Sequence, residues 1–189
     1  LLLQRGADKR GAARDDAALG AALSSAADGG YIEIAALLID RGANVNWRYD
    51  GPLRADWQAM PLAAALVARS SDKLTIARRR DVALALLAHG ADVNARNERW
   101  QTLLHAAATA GDMPVIELLL SHGADIAPMD HDGFTPLHRA VQQGHLDAAA
   151  RLIEAGADAT TPAADGTTTL ALASKDREME ALIRRHAKQ

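Results

Sequence analysis

The chain contains no cysteine, so neither disulfides nor thiolate-bound metal hold it together. The same absence fits a reducing or an oxidising compartment. The cytoplasm is favoured, and the periplasm or secretion stays open. Aromatic residues make up only 3% of the sequence: three Trp, two Tyr and one Phe. Hydrophobic content is nevertheless 49%, carried mostly by Ala and Leu. Such small side chains suit thin, closely packed helices and exclude a core built on large rings. No charge-free apolar run reaches the length a membrane-spanning helix needs. The opening residues, LLLQRGADKR, lack the layout of a signal peptide. A net charge of -3 gives no general reason to expect nucleic acid or an anionic membrane as partner. Lysine is scarce beside arginine, 4 against 17, a bias that fits a GC-rich genome and a bacterial source.

Signatures of catalysis are missing as well. No HExxH pair, nucleophile elbow or phosphate-binding Gly-rich loop occurs. The chain is therefore expected not to be an enzyme and to need no cofactor or metal.

What is present is a repeat. The tag Gly-Ala-Asp/Asn recurs at Gly6, Gly42, Gly90, Gly123 and Gly156, and the last two intervals are 33 residues each. Each tag follows an apolar stretch such as LLIDRG or LLLSHG, so its Gly reads as the left-handed residue that ends a helix. Twelve residues after the last three tags stand Thr102, Thr135 and Thr168. Thr135 reads as an N-cap and Pro136 as the first helical residue. A short helix then runs to Gly144, and a second from about Leu146 to Ala155. The pattern predicts a helix–turn–helix in each repeat, with a loop between repeats.

The segment GFTPLHRAVQQGHLDAAARLIEAGAD, Gly133–Asp158, resembles the ankyrin repeat nearly throughout, including its TPLH signature. TLLHAAATAGDMPVIELLLSHGAD departs mainly at Leu103 and Pro114; GTTTLALAS has lost the His; and AALSSAADGGYIEIAALLIDRGANVN has Ser24 in its place. The resemblance implies an all-α, ankyrin-repeat α-solenoid whose loops project as β-hairpin-like fingers. It divides a single domain, 1–189, into a truncated remnant (1–9), repeats at 10–44, 45–92, 93–125 and 126–158, and a C-terminal cap repeat at 159–189.

The frame is irregular, which marks a natural array. From Gly42 to Gly90 there are 15 residues in excess of 33. With Met60–Ala63 as that repeat's TPLH, six fall in the loop 47–59 and nine around Arg69–Arg80, lengthening the second helix behind a Ser71 or Asp72 cap. The interval from Gly6 to Gly42 holds three more, placed near Lys9–Asp15. Leu1–Leu3 match the buried end of a second helix, so the natural protein is expected to extend further N-terminally. At the other end, REMEALIRRHAKQ carries the narrow apolar stripe of a capping helix.

Most of the seven His are explained by the frame. His105 and His138 occupy the TPLH position, where the family uses the ring for hydrogen bonds within and between repeats. His89 and His122 share one register, too far apart on stacked helices to make a ready metal pair. His145 fills the family's Gly-His position. His131, at a loop tip, has no role the repeat supplies. The run Arg78–Arg80 reads as a solvated helix face, with a specific acidic contact as the lesser alternative.

One substitution goes against the repeat. Where one copy has Gly133 at its loop, the preceding copy has Trp100. Four of the six aromatic residues, Trp47, Tyr49, Trp57 and Trp100, fall in two adjacent fingers, interleaved with Arg48, Arg54, Arg96 and Arg99. Interface hot spots favour Trp, Tyr and Arg. The resemblance implies a non-catalytic module, monomeric by itself, that binds a partner protein through finger tips and the inner face of the first helices. The candidate surface is Trp47, Arg48, Tyr49, Trp57, Arg96, Arg99 and Trp100, extended by Met129, His131, Arg139, Gln142 and Gln143. Packing of the Trp side chains into a local core is the competing reading of the cluster. An immunity-type protein covering an enzyme's active site is an alternative within the class. A small-ligand-binding or enzymatic domain built on the insertion is the alternative outside it.

Overall fold

The computed structural model describes residues 2–48, 60–67 and 73–187, with side chains from residue 16 onward. The described chain is all-α. It forms two compact units, Leu1–Asp92 and Val93–Gln189.

In the first unit, α1 (Leu2–Gly29) packs on α2 (Ile32–Asp40), α3 (Pro61–Leu66) and α4 (Lys73–Ala88). The core between them is small-residue and Leu: Leu23, Ala26, Ala27, Ala35, Leu62 to Leu66, Val82, Ala83 and Leu86 are all buried. Helix α1 corrects two expectations, because it runs without a break through Gly6 and through the segment 9–15 placed in a loop. A single Gly inside a helix costs only about 1 kcal/mol, which the surrounding Ala, Arg and Lys can carry. The turn at Gly30, φ +69°, ends α1, and the N–H of Tyr31 reaches back to the carbonyl of Ala26 at 2.9 Å. Helix α3 starts at Pro61 behind Met60, as its TPLH-like frame requires. Helix α4 has 16 residues where α2 has 9, the extra turns lying at its N-terminal end. Ser71 and Asp72 lie outside the described residues. The arginine run on α4 is only in part a solvated face: Arg78 and Arg80 are exposed, while Arg79 is 6% exposed and bonds the carbonyl and carboxylate of Asp28.

The second unit contains α5 (Leu103–Ala110) with α6 (Met113–Ser121), and α7 (Pro136–Gln142) with α8 (Leu146–Glu154). The last pair is α9 (Thr169–Leu172), continued by a 3-10 turn at Ala173–Lys175, with α10 (Arg177–His186). First helices stack on first helices, α5 on α7 and α7 on α9, and α6 lies beside α8. Leu103, Leu104, Ile116, Leu119, Leu137, Leu152, Met179 and Ile183 form the buried spine. On α10 only Met179 and Ile183 are fully buried, the narrow stripe expected of a last helix, and Asp176 caps its N-terminus through the N–H groups of Glu178 and Met179. Gly42, Gly90, Gly123 and Gly156 all have positive φ, so the tag glycines from Gly42 on end their helices in the left-handed conformation.

Candidate functional site

Three loops of the second unit share one design. In each, a tight turn closes with an N–H donating three residues back: Trp100 to the carbonyl of Asn97, Gly133 to Asp130 and Gly166 to Ala163, at 2.9–3.0 Å. A second bond brackets the tip, from Asn97 to Gln101, Asp130 to Phe134 and Ala163 to Thr167. The first of these fingers adds a short antiparallel bridge between Arg96 and Thr102. Neighbouring fingers are also tied to each other. The N–H of His131 donates to the carbonyl of Arg99 at 2.9 Å, and that of Ala164 to Asp132 at 3.2 Å.

The turn requires positive φ at its fourth residue. Gly133 and Gly166 supply it at 77° and 81°. At the equivalent place Trp100 adopts φ 61°, and it is the only non-glycine residue with positive φ among those described. A Cβ in that region costs roughly 1–2 kcal/mol. The bulky side chain gains little burial in return, since Trp100 is 58% exposed. The guanidinium of Arg96 lies 5.4 Å from its ring centroid, and Nη1 of the same side chain donates to the carbonyl of Met129 at 3.4 Å. Met129 is itself 45% exposed. Trp100, Arg96 and Met129 therefore make a linked surface patch on two fingers.

Beside the patch lies a pocket of about 380 Å³ lined by Arg99, Gln101, Asp130, His131, Asp132 and Arg139, every one of them polar. Its floor is the buried carboxylate of Asp130. One oxygen accepts from the N–H groups of Asp132 and Phe134 at 3.0 Å and so shapes the turn. The other accepts from Arg139 through Nε at 3.0 Å and through Nη2. Burial pushes the Asp130 carboxyl up, but Arg139 and the two backbone donors outweigh it and hold it below the usual carboxylate range. Arg139 also bonds Asp132 at 3.3 Å and Gln142 at 3.2 Å, and stacks on Phe134 with 4.6 Å to the ring centroid. Arg99, by contrast, is exposed, with no side-chain hydrogen bond or ion pair among the described residues.

The histidines beneath the fingers are structural. Nδ1 of His105 accepts from the backbone N–H of Thr102 at 3.1 Å, which puts the ring proton on Nε2, and Nε2 donates to the carbonyl of Phe134 at 2.9 Å. That second bond joins a first helix to the next finger. His138 repeats the Nδ1 bond on Thr135, but among the described residues its buried Nε2 makes no hydrogen bond to match that of His105. Burial is the largest influence on both rings and holds each pKa below its ordinary value. His89 and His122 each bond back through Nδ1 to the carbonyl four residues earlier, Ala85 and Leu118. Among the described residues no three acidic or His side chains converge as a metal set.

Of the residues singled out in sequence, Arg96, Arg99, Trp100, Met129, His131 and Arg139 come together around the fingers of the second unit. Gln142 and Gln143 are exposed at the end of α7. Trp47 and Arg48 belong to the first unit, and Tyr49 and Trp57 lie outside the described residues. Arg48 is exposed. Trp47 is half-buried against α1: a Cβ added to Gly20 would stand 2.1 Å from its indole ring. Two features escaped sequence reasoning. Asp130 shares its register with Asn97, an Asx residue that also caps its own turn, and Arg139 follows it nine residues later; that pairing was there to be read. Gly20, within the Ala-rich stretch of α1, marked a close approach.

Comparison with protein-family models matches residues 74–163 to a model described as ankyrin repeats (3 copies) and residues 21–50 to one described as ankyrin repeat. A comparison with curated proteins found no match.

Proposed function

Because this chain belongs to the ankyrin-repeat family, whose repeats generally serve protein–protein interaction, we propose that it is a non-catalytic module binding a partner protein through the fingers of its second unit. The observation that carries the reading is Trp100, which holds a left-handed backbone suited to glycine while leaving most of its surface in water. Conformational strain without compensating burial fits a residue retained for contact with something else. Arg96 braces the ring, Met129 widens the apolar area, and Asp130 with Arg139 fixes the neighbouring finger. This is the make-up of an interface centre, an aromatic anchor and Arg on a rigid frame. No apolar residue lines the adjoining pocket, whereas small-molecule sites are lined mainly by apolar side chains, so the geometry favours a protein partner over a small ligand.

Affinity capture from native extract tests the reading, with the intact chain run beside Trp100→Gly and the captured proteins identified by mass spectrometry. Glycine suits the backbone at that position, so the variant keeps the fold while removing the anchor. A protein held by the intact chain and released by the variant is the expected result. Equal capture by both would place recognition elsewhere.

A further inference from the structure

The three fingers of the second unit carry different charges at one register position: Arg99, then Asp132, then Asp165. All three are exposed. Arg99 is also the cation of the pocket without an internal partner among the described residues, whereas Arg139 is bound by Asp130 and Asp132. Arg96 is engaged by the Trp100 ring and the Met129 carbonyl. From finger to finger the charge at this position therefore changes from an available guanidinium, beside Trp100, to two carboxylates.

We propose that the fingers take a short partner segment laid from finger to finger, in which an apolar side chain seats on Trp100 and Met129, a carboxylate pairs with Arg99 at the first finger, and basic residues face Asp132 and Asp165 at the next two. The inference rests on the reading of these fingers as a protein-binding surface and adds the chemistry of what they bind. An Arg–carboxylate pair is the stronger because the guanidinium fork matches both oxygens. A long acidic tract does not fit, because its further carboxylates would stand against Asp132 and Asp165. A nucleic-acid strand meets the same obstacle with every phosphate. The surface thus selects by charge order, which is how interfaces reject wrong partners of similar composition.

The test uses the full chain and labelled synthetic peptides with a common apolar centre. One carries Glu at one end and Lys at the other, a second the same residues in alternation, a third Glu at both ends; single-stranded oligothymidylate is the fourth probe. Fluorescence anisotropy at physiological salt reads the binding of each to the intact chain, to Arg99→Glu and to Trp100→Gly, after circular dichroism has confirmed that all are folded. The block-charged peptide is expected to bind at least about tenfold tighter than the others, a difference of about 1.4 kcal/mol. Arg99→Glu is expected to remove that preference and Trp100→Gly to remove binding. Equal affinity for the three peptides, a preference unchanged by Arg99→Glu, tightest binding of the oligonucleotide, or no binding of any probe would each overturn the charge order. Equal peptide affinities that vanish in Trp100→Gly would leave the fingers as a protein-binding surface. Binding indifferent to Trp100→Gly would remove that reading too.

Discussion

Trp100 and Gly133 hold the same place in consecutive fingers, both left-handed, at φ 61° and 77°, with opposite surroundings. A Cβ at Gly133 would stand 2.4 Å from the backbone nitrogen of Ala164, so that finger admits nothing larger than glycine. At Trp100 the backbone asks for glycine and the chain supplies its largest side chain, directed at solvent. The repeat sets the conformation. What differs between copies is what the surface carries.

Gly133→Ala is therefore expected to lower stability by at least about 2 kcal/mol, from the left-handed backbone and from a clash with main chain that no rotamer relieves. Urea unfolding measures it. A midpoint unchanged from the intact chain would mean the fingers adjust independently of one another.

Asp130→Ala should cost about 2–3 kcal/mol, since it leaves the largely buried Arg139 with only its longer bonds to Asp132 and Gln142 and removes the acceptor that closes the turn. Asp130→Asn keeps the turn acceptor, as Asn97 does one repeat earlier, and should lose roughly half as much. Equal losses in the two variants would show that the ion pair rather than the turn carries the effect.

Gly20→Ala would ordinarily stabilise a helix interior by about 0.5–1 kcal/mol. Here the new methyl meets the Trp47 ring, so the variant should be less stable than the intact chain. With Trp57→Phe and Trp100→Gly in the background, Trp47 is the only Trp left, and its emission should move to the red as the indole leaves α1. Emission that stays in place would contradict the packing of Trp47 on α1.

His105 and His138 are held neutral by burial, with folded pKa values below the ordinary 6.5. The unfolded chain therefore binds these protons first. Stability is complete above about pH 6.5, falls as the pH drops below that value, and levels off beneath the folded pKa values. Asp130, also depressed, contributes a further loss as the pH falls below about 3.8. Urea midpoints should fall between pH 7.5 and 5.5. His105→Gln should show a shallower fall over that range; an identical slope would remove His105 as a source.

Much of this fold was legible because each repeat states its own punctuation. Thr135 before Pro136 gave the start of α7, the tag glycines from Gly42 on gave the ends of second helices, and the surplus before Gly90 gave the long α4. The reading went wrong at Gly6, where a local tag matched the pattern although a single Gly costs a helix only about 1 kcal/mol and α1 runs through it. It also treated Arg79 as solvated, because burial of one Arg in a run of three depends on which face meets α1, and sequence spacing does not disclose that. The Asp130–Arg139 pair was legible only in part: the shared register of Asp130 with Asn97 marks the Asx turn, but only the folded repeat brings the finger and the first helix behind it within bonding distance.

The central claim is that Trp100 is retained for contact and not for stability, and unfolding of Trp100→Gly in urea tests it most directly. Relief of a left-handed Trp, about 1–2 kcal/mol, less the loss of the Arg96 stack, about 0.5–1 kcal/mol, predicts a variant at least as stable as the intact chain, and more stable by up to about 1.5 kcal/mol. A variant less stable than the intact chain would mean that the indole is packing that holds the finger, and the account of the site would fail.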